Sequence, residues 1–482
     1  GYVYCYPNVF PGVTVGPIAV GGMNRDDAAN TIEDQSAPLY EGKNVTVTIY
    51  DSNYDIPVDK VLKSVDGIQS AENAYEIGRT GNPLERVHDI IGAMRGHREA
   101  QIAATVDEES LRGTLNEIAD TALTEPVNPT WELKDSNLIV HSGKPGVKFD
   151  TDAVEQALTD QIRLMDFEPY EVSTDVTAAP AIDVDKIAAD IIGDPVNATV
   201  SKKDGKTIIA GKAGVSFDTD KAREIIGDGS QETYTIPVTI TQPSITAEML
   251  KAKLFHDTLA RTATNLDEGN APRTNNIRLA AKAINGTILN PGDEFSYNGT
   301  VGERTAARGY QEAHAYSGGK IIDEFGGGVC QPSSTLYMAV LRADLKVIER
   351  HNHSFTVSYT PLGEDATVDY GNLDFRFVNN TAYPVKILAE QTDGQMIMTI
   401  VGTKTSDKTV TTRTEVLETY KPETVTKTDS SMEAGDSRVE TSGITGYSTK
   451  TYKQITENGK TTEVLANSST YSKRDEVVYV GE

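Results

Sequence analysis

The stretch DEFGGGVCQPSS, residues 323–334, sets three glycines before a cysteine and Pro-Ser-Ser just after it. Glycine reaches backbone angles closed to other residues and lets another group approach the main chain. Gly326, Gly327 and Gly328 therefore predict a tight turn with N–H groups able to face a bound group. Gln331-Pro332-Ser333 reads as a helix start, because proline is favoured in the first turn. Leu336, Ala339, Val340 and Ala343 carry an apolar stripe onward from it. Cys330 is expected at the positive end of a helix dipole, where thiolate is favoured over thiol. A thiolate beside donor N–H groups is the arrangement of an acyl-transfer nucleophile with an oxyanion hole. The same residue also reads as a small buried hydrophobe at a turn.

The segment KVIERHNHSFTVSY, from Lys346, alternates as a strand, which would set His351 and His353 on one side. With Cys330 either makes a Cys–His dyad. The pair would alternatively hold zinc, although no Cys-x-x-Cys or His-Glu-x-x-His completes a site, so no metal is expected. Asp365, in PLGEDAT, reads as a turn residue or as the group that orients a catalytic histidine. Arg350 reads as a carboxylate fork or as a surface partner of Glu349 or Asp344.

The 482 residues carry a formal net charge of −26, which argues against a nucleic-acid binder needing a basic stripe. No 18-residue apolar run is present, so this chain is not expected to span a membrane. Its first residues lack the basic and apolar regions of a signal peptide. Two cysteines, Cys5 and Cys330, are not a disulfide framework.

Two segments repeat. EPVNPTWELKDSNLIVHSGKPGVKFDTDAV begins at Glu125 and DPVNATVSKKDGKTIIAGKAGVSFDTDKA at Asp194, with Gly143 matching Gly211 and Phe149 matching Phe217. Each reads as strand, turn, strand and helix, the helix capped at Asp-Thr-Asp. Asp152 and Glu155 have the spacing of a capping box. The Asp150/Asp152 and Asp218/Asp220 pairs would alternatively bind calcium, but the glycine and glutamate of an EF-hand loop are missing. Residues 1–100 look like a divergent relative of the repeat, with a strand in NVTVTIYD and helix-turn-helix in AYEIGRTGNPLERVHDIIGAM. In the central block, Ile277, Ala280, Ala281 and Ile284 form one helical stripe. From about residue 405 the chain is Thr-rich and alternating, with an Asn458-Gly459 hairpin turn, and is expected to be an elongated β module, polar on both faces, with little core.

The segments NPGDEFSYNGTVGERTAARGYQEAHAYSGG, GGGVCQPSSTLYMAVLRADLKVIERHNHS, PLGEDATVDY and DFRFVNNTAYPV resemble the VanW domain. The resemblance runs from about Phe255 to Gly402. The preceding repeats resemble peptidoglycan-binding repeats, and the tail resembles a G5 domain. The implied fold is α+β and multidomain: a divergent α+β repeat-like domain at 1–100, peptidoglycan-binding-like repeats at 101–181 and 182–248, a mixed α+β VanW domain at 249–404, and an elongated all-β G5-like module at 405–482. The resemblance also implies an extracellular protein of the cell wall, or one anchored on the outer face of the membrane by a segment upstream of Gly1. Its partners would be peptidoglycan stem peptides and glycan, with no cofactor. Some VanW domains are regarded as cysteine L,D-transpeptidases. On that reading Cys330 is the nucleophile, His353 the base and Asp365 its orienting group. Arg350, Gly327, Gly328, Gln331 and His351 would bind substrate. Tyr297 and Arg304 lie on matching positions. The alternatives are a non-catalytic peptidoglycan-binding surface protein and a spacer or adhesin.

Overall fold

The computed structural model describes residues 5–317, 320–392 and 394–481, with backbone alone for 315–317 and 320–322. Gly318 and Gly319, within one of the family-like segments, lie outside the described residues. The chain forms two compact units. One runs up to Ile192 and includes Ser216–Thr239; the other comprises Gly193–Val215 and the chain from Ile240 onward.

The first unit is α+β. Strand Asn44–Ile49 buries Val45, Val47 and Ile49 on alternate positions against the helices Glu108–Ala122 and Thr151–Arg163. Strands Thr130–Lys134 and Asn137–His141 pair through a turn at Asp135 and Ser136, whose φ angles are 49° and 60°. Asp150 caps the next helix, accepting from the N–H groups of Asp152 and Ala153 at 3.0 and 3.1 Å; Asp218 repeats this with Asp220 and Lys221 at the same distances. The capping box expected of Asp152 and Glu155 does not form. Asp150 is the cap, so Glu155 lies two positions too deep, and Arg112 takes its carboxylate at 2.9 and 2.8 Å.

The second unit holds the triglycine turn. An antiparallel sheet in the order Asp257–Asn265, Gln395–Gly402, Val385–Thr392, Ile288–Leu289 packs against helices Ala271–Ile284 and Cys330–Arg342. The Ile277 stripe is fully inside. The Cys330 helix is buried all round from Gln331 to Leu341 rather than along one stripe, as befits a helix at the centre of a core. A second small sheet joins Glu294–Ser296, Arg376–Val378 and Lys346–Glu349.

The tail is all β. Strands Thr409–Tyr420, Gly446–Glu457 and Lys460–Tyr471 form one antiparallel sheet, with Asn458 and Gly459 at φ 50° and 73° in the hairpin. Polarity on both faces does not leave it free of burial. Thr449, Thr451, Ser469 and Tyr471 are at most 2% exposed. Gly363 touches the sheet so closely that a methyl group there would collide with the Thr451 hydroxyl.

The caps can be tested directly. Asp150→Ala and Asp218→Ala should each lower unfolding stability by about 1 kcal/mol, read by urea denaturation, and calcium should leave the midpoint of the wild-type protein unchanged. A calcium-dependent stabilisation abolished by these substitutions would contradict the capping assignment.

Candidate active site

The triglycine turn is held from several sides. Gly326 and Gly328 have φ of 86° and 105°, in the left-handed region, whereas Gly327 is required by space: a methyl group there would run into the carbonyl of Ala313. The fully buried Asn276 amide donates to the carbonyls of Gln311 and Gly327 at 2.8 and 3.1 Å, and its oxygen accepts from the Gln311 N–H. Tyr297 donates to Val329 O at 2.7 Å from a fully buried ring. Among the described residues, the N–H groups of Gly328 and Cys330 have no hydrogen-bond acceptor. Both belong to the turn that carries the thiol and are available to an incoming oxyanion.

Cys330 is the first residue of its helix and partly exposed. Its Sγ lies 3.5 Å from Thr367 Oγ1 and 3.5 Å from the N–H of Val368. The charge of the His353 imidazole favours the thiolate form of Cys330, although no hydrogen bond of regular geometry joins the two. Burial works to raise the Cys330 pKa, but the imidazole, the Val368 N–H and the Thr367 hydroxyl together bring it below the ordinary thiol value.

His353 and Asp365 are joined twice. Asp365 Oδ2 accepts from His353 Nδ1 at 2.6 Å and from the His353 backbone N–H at 2.7 Å. This leaves Nε2 facing Tyr359 Oη at 3.4 Å and the thiol side. Burial opposes charge on the imidazole, yet Asp365 and the Cys330 thiolate raise its pKa to about 9. Asp365 is 1% exposed. Its burial would keep it protonated, but His353 and Arg350 hold it below the usual carboxylate range. His353 is therefore the protonated partner at neutral pH, and the thiol beside it is biased toward thiolate.

Several expectations need correction. The strand containing the two histidines ends at Glu349, so they do not share a side. His351 Nε2 meets Glu349 at 3.1 Å and lines a groove of about 400 Å³ with Tyr337, Asn352, Ala466, Asn467 and Ser468. Asp365 lies just past the turn at Leu362 and Gly363 and is buried. Arg350 is not a fork awaiting a substrate: its Nε and Nη2 go to the backbone carbonyl and carboxylate of Asp365 at 2.7 and 2.9 Å, and Nη1 to Ser469 at 2.7 Å. A buried carboxylate outcompetes Glu349 and Asp344 at the surface. Gln331 is likewise consumed, donating to Thr264 and Asn265 and accepting from Arg273. Arg304 gives Nη1 to Asn298 at 2.8 Å, while its water-shielded Nε and Nη2 have no partner among the described residues. No cluster of three metal-ligating side chains occurs among the described residues. Sequence reasoning missed Asn276, Tyr359, Thr367 and Val368; all but Val368 are polar side chains in segments it noted for other features.

A family model described as "VanW like protein" matches residues 272–401, which carry all of these groups except Thr264, Asn265, Ala466, Asn467, Ser468 and Ser469. Models described as "Putative peptidoglycan binding domain" and "G5 domain" match 54–171 and 409–482. The uncharacterized protein YoaR of Bacillus subtilis (strain 168) is 35% identical over 212 residues, covering 43% of this chain and 69% of that protein. The chain belongs to the VanW-like family. Vancomycin B-type resistance protein VanW of Enterococcus faecalis (strain ATCC 700802 / V583) is 30% identical over 134 residues, covering 27% of this chain and 49% of that one. An IgA1 protease G5 domain structure aligns with 16% of this chain and 95% of its own length, at 15% identity and a TM-score of 0.13. With its peptidoglycan-binding-type and G5 modules, this VanW-like chain is a cell-wall-associated protein. No helix among the described residues is long and apolar enough to cross a membrane.

Two outcomes follow from the geometry. In His353→Ala, burial still raises the Cys330 pKa while the opposing charge is gone, so the pH dependence of alkylation by iodoacetamide moves upward. A profile displaced by one pH unit leaves about a tenth of the thiolate at neutral pH. An unmoved profile would show that the histidine does not act on the thiol. Gly327→Ala should lower the melting temperature more than Gly328→Ala, where left-handed φ costs about 1–2 kcal/mol and only the flexible Arg273 side chain stands close.

Proposed function

We propose that this VanW-like protein is a cysteine-dependent acyltransferase acting outside the membrane on peptidoglycan stem peptides, in the manner of an L,D-transpeptidase. The observation that carries the reading is the buried His353–Asp365 pair, whose charge favours thiolate at Cys330, a residue at a helix start with two N–H groups that lack an acceptor among the described residues.

The Cys330 thiolate attacks the carbonyl of the third stem residue in a tetrapeptide ending in D-Ala. The carbonyl oxygen takes the negative charge and faces the N–H groups of Gly328 and Cys330. The C–N bond breaks, the imidazolium gives its Nε2 proton to the departing amine of D-Ala, and a thioester remains on Cys330. An amine of a second stem then attacks the thioester. Its proton passes to His353 as the sulfur leaves as thiolate, and the resting pair is restored. Asp365 keeps the imidazole in the tautomer that exposes Nε2, as the third member of such triads does. With Arg350 committed to Asp365, Arg304 beside the triglycine turn is the better candidate to meet a stem carboxylate. Residues 1–100, 101–181 and 182–248 would bind wall polymer, and 249–404 with 405–482 would carry the chemistry.

The competing reading is a wall-binding protein without catalysis, favoured by the peptidoglycan-binding-type match at 54–171. The two part on one experiment. Incubated with purified disaccharide-tetrapeptide, the wild-type protein should gain the mass of an acyl group at Cys330, and a dimer joined between third residues should accumulate. Cys330→Ala should do neither while remaining folded. Turnover by Cys330→Ala, or the absence of both adduct and product in the wild type, would exclude the mechanism.

A further inference from the structure

We infer that the G5 tail is a working part of the active site, with Tyr471 acting as a positioning residue for the His353–Asp365 pair. The inference rests on the catalytic reading above and goes beyond it. It assigns to the tail a task separate from holding wall polymer.

The Asp365 carboxylate accepts four hydrogen bonds. Two come from His353 and one from Arg350, all within the VanW-like segment. The fourth comes from Tyr471, whose hydroxyl donates to Oδ1 at 2.6 Å. Tyr471 is 1% exposed, and the same hydroxyl accepts from the Gly363 N–H at 2.8 Å, two residues before Asp365. The phenol thus fixes both the carboxylate and the loop that presents it.

Neighbouring residues of the same strand extend the contact. Ser469 Oγ accepts from Arg350 Nη1 and donates to Asn467 Oδ1 at 2.8 Å. The Asn467 amide donates to Tyr337 Oη and to Gly363 O, both at 2.8 Å. Asn352, next to His353, donates to Thr470 O at 2.8 Å, and the Ser472 N–H donates to Ser354 O at 2.7 Å. Alternate residues of one strand, 467, 469 and 471, present their side chains to the site, as the period of two requires. Among these contacts, the one from Tyr471 reaches the Asp365 carboxylate itself.

The chemical consequence has a sign. A hydroxyl donating to Oδ1 draws charge away from the carboxylate, so His353 is held less tightly as imidazolium. Without that donor, Asp365 binds the imidazolium more strongly, and the thiolate–imidazolium pair persists over a wider pH range. A proton held more tightly is also given up less readily to a departing amine.

The test is Tyr471→Phe in the full chain, which keeps the ring and removes the hydroxyl. Tyr420→Phe is the control, because Tyr420 is a tail phenol donating to Glu418, away from the site. In Tyr471→Phe the pH at which His353 loses its proton, followed by nuclear magnetic resonance of the imidazole ring, should move upward. Acyl transfer should lose roughly tenfold in kcat, on the scale of one hydrogen bond to a charged group, with KM unchanged. Tyr420→Phe should alter neither. If Tyr471→Phe leaves the His353 titration in place or lowers it, the inference is overturned, whatever happens to the melting temperature. If the wild-type protein itself shows Cys330 reacting no faster than Cys5 at neutral pH, the catalytic reading falls, and this inference with it.

Discussion

One buried carboxylate organises this site. Asp365 has almost no contact with water, and an ionised group so placed is costly unless it is paired and fully hydrogen-bonded. Here it receives four donors, one of them a guanidinium and one an imidazolium. That saturation fits the shifts of the pair it serves. Asp365 stays ionised, His353 is held protonated, and the neighbouring thiol is shifted toward thiolate.

The same saturation ties the proposed catalysis to folding. Removing the carboxylate would leave Arg350 buried without its counter-charge, a loss of about 3–5 kcal/mol for a broken buried pair. Substitution of Asp365 would therefore confound chemistry with stability, whereas His353 and Tyr471 can be changed more cleanly. On the other flank, Asn276 and Tyr297 fix the triglycine turn from within the core. The Cys330 thiol and the His353–Asp365 pair are thus carried by two frames, a core helix start on one side and the loop 361–368 on the other.

Much of this was legible in the sequence, for physical reasons that can be named. Three glycines before a cysteine and a proline have few uses other than a turn feeding a helix. The repeated Asp-Thr-Asp caps speak through local hydrogen bonding alone. Strand alternation in NVTVTIYD and the Asn458-Gly459 turn are equally local. What sequence reading missed depends on partners distant in the chain. Arg350 has the chemistry of a substrate fork, and only the fold reveals that Asp365 occupies it. Glu155 has capping spacing, but Arg112, 43 residues earlier, captures it. Tyr471 lies 106 residues beyond Asp365 in a strand whose alternation suggests solvent on both faces. No local pattern marks a phenol whose acceptor lies in another module.

The central claim is that Asp365 and Cys330 hold His353 protonated at neutral pH. Nuclear magnetic resonance of the imidazole ring, with histidines isotopically labelled and His353 assigned by its absence in His353→Ala, measures this directly. The account predicts that His353 titrates near pH 9, and that its pKa falls when the thiolate is removed in Cys330→Ala. A His353 that titrates near its ordinary value of about 6.5, unchanged by Cys330→Ala, would contradict it.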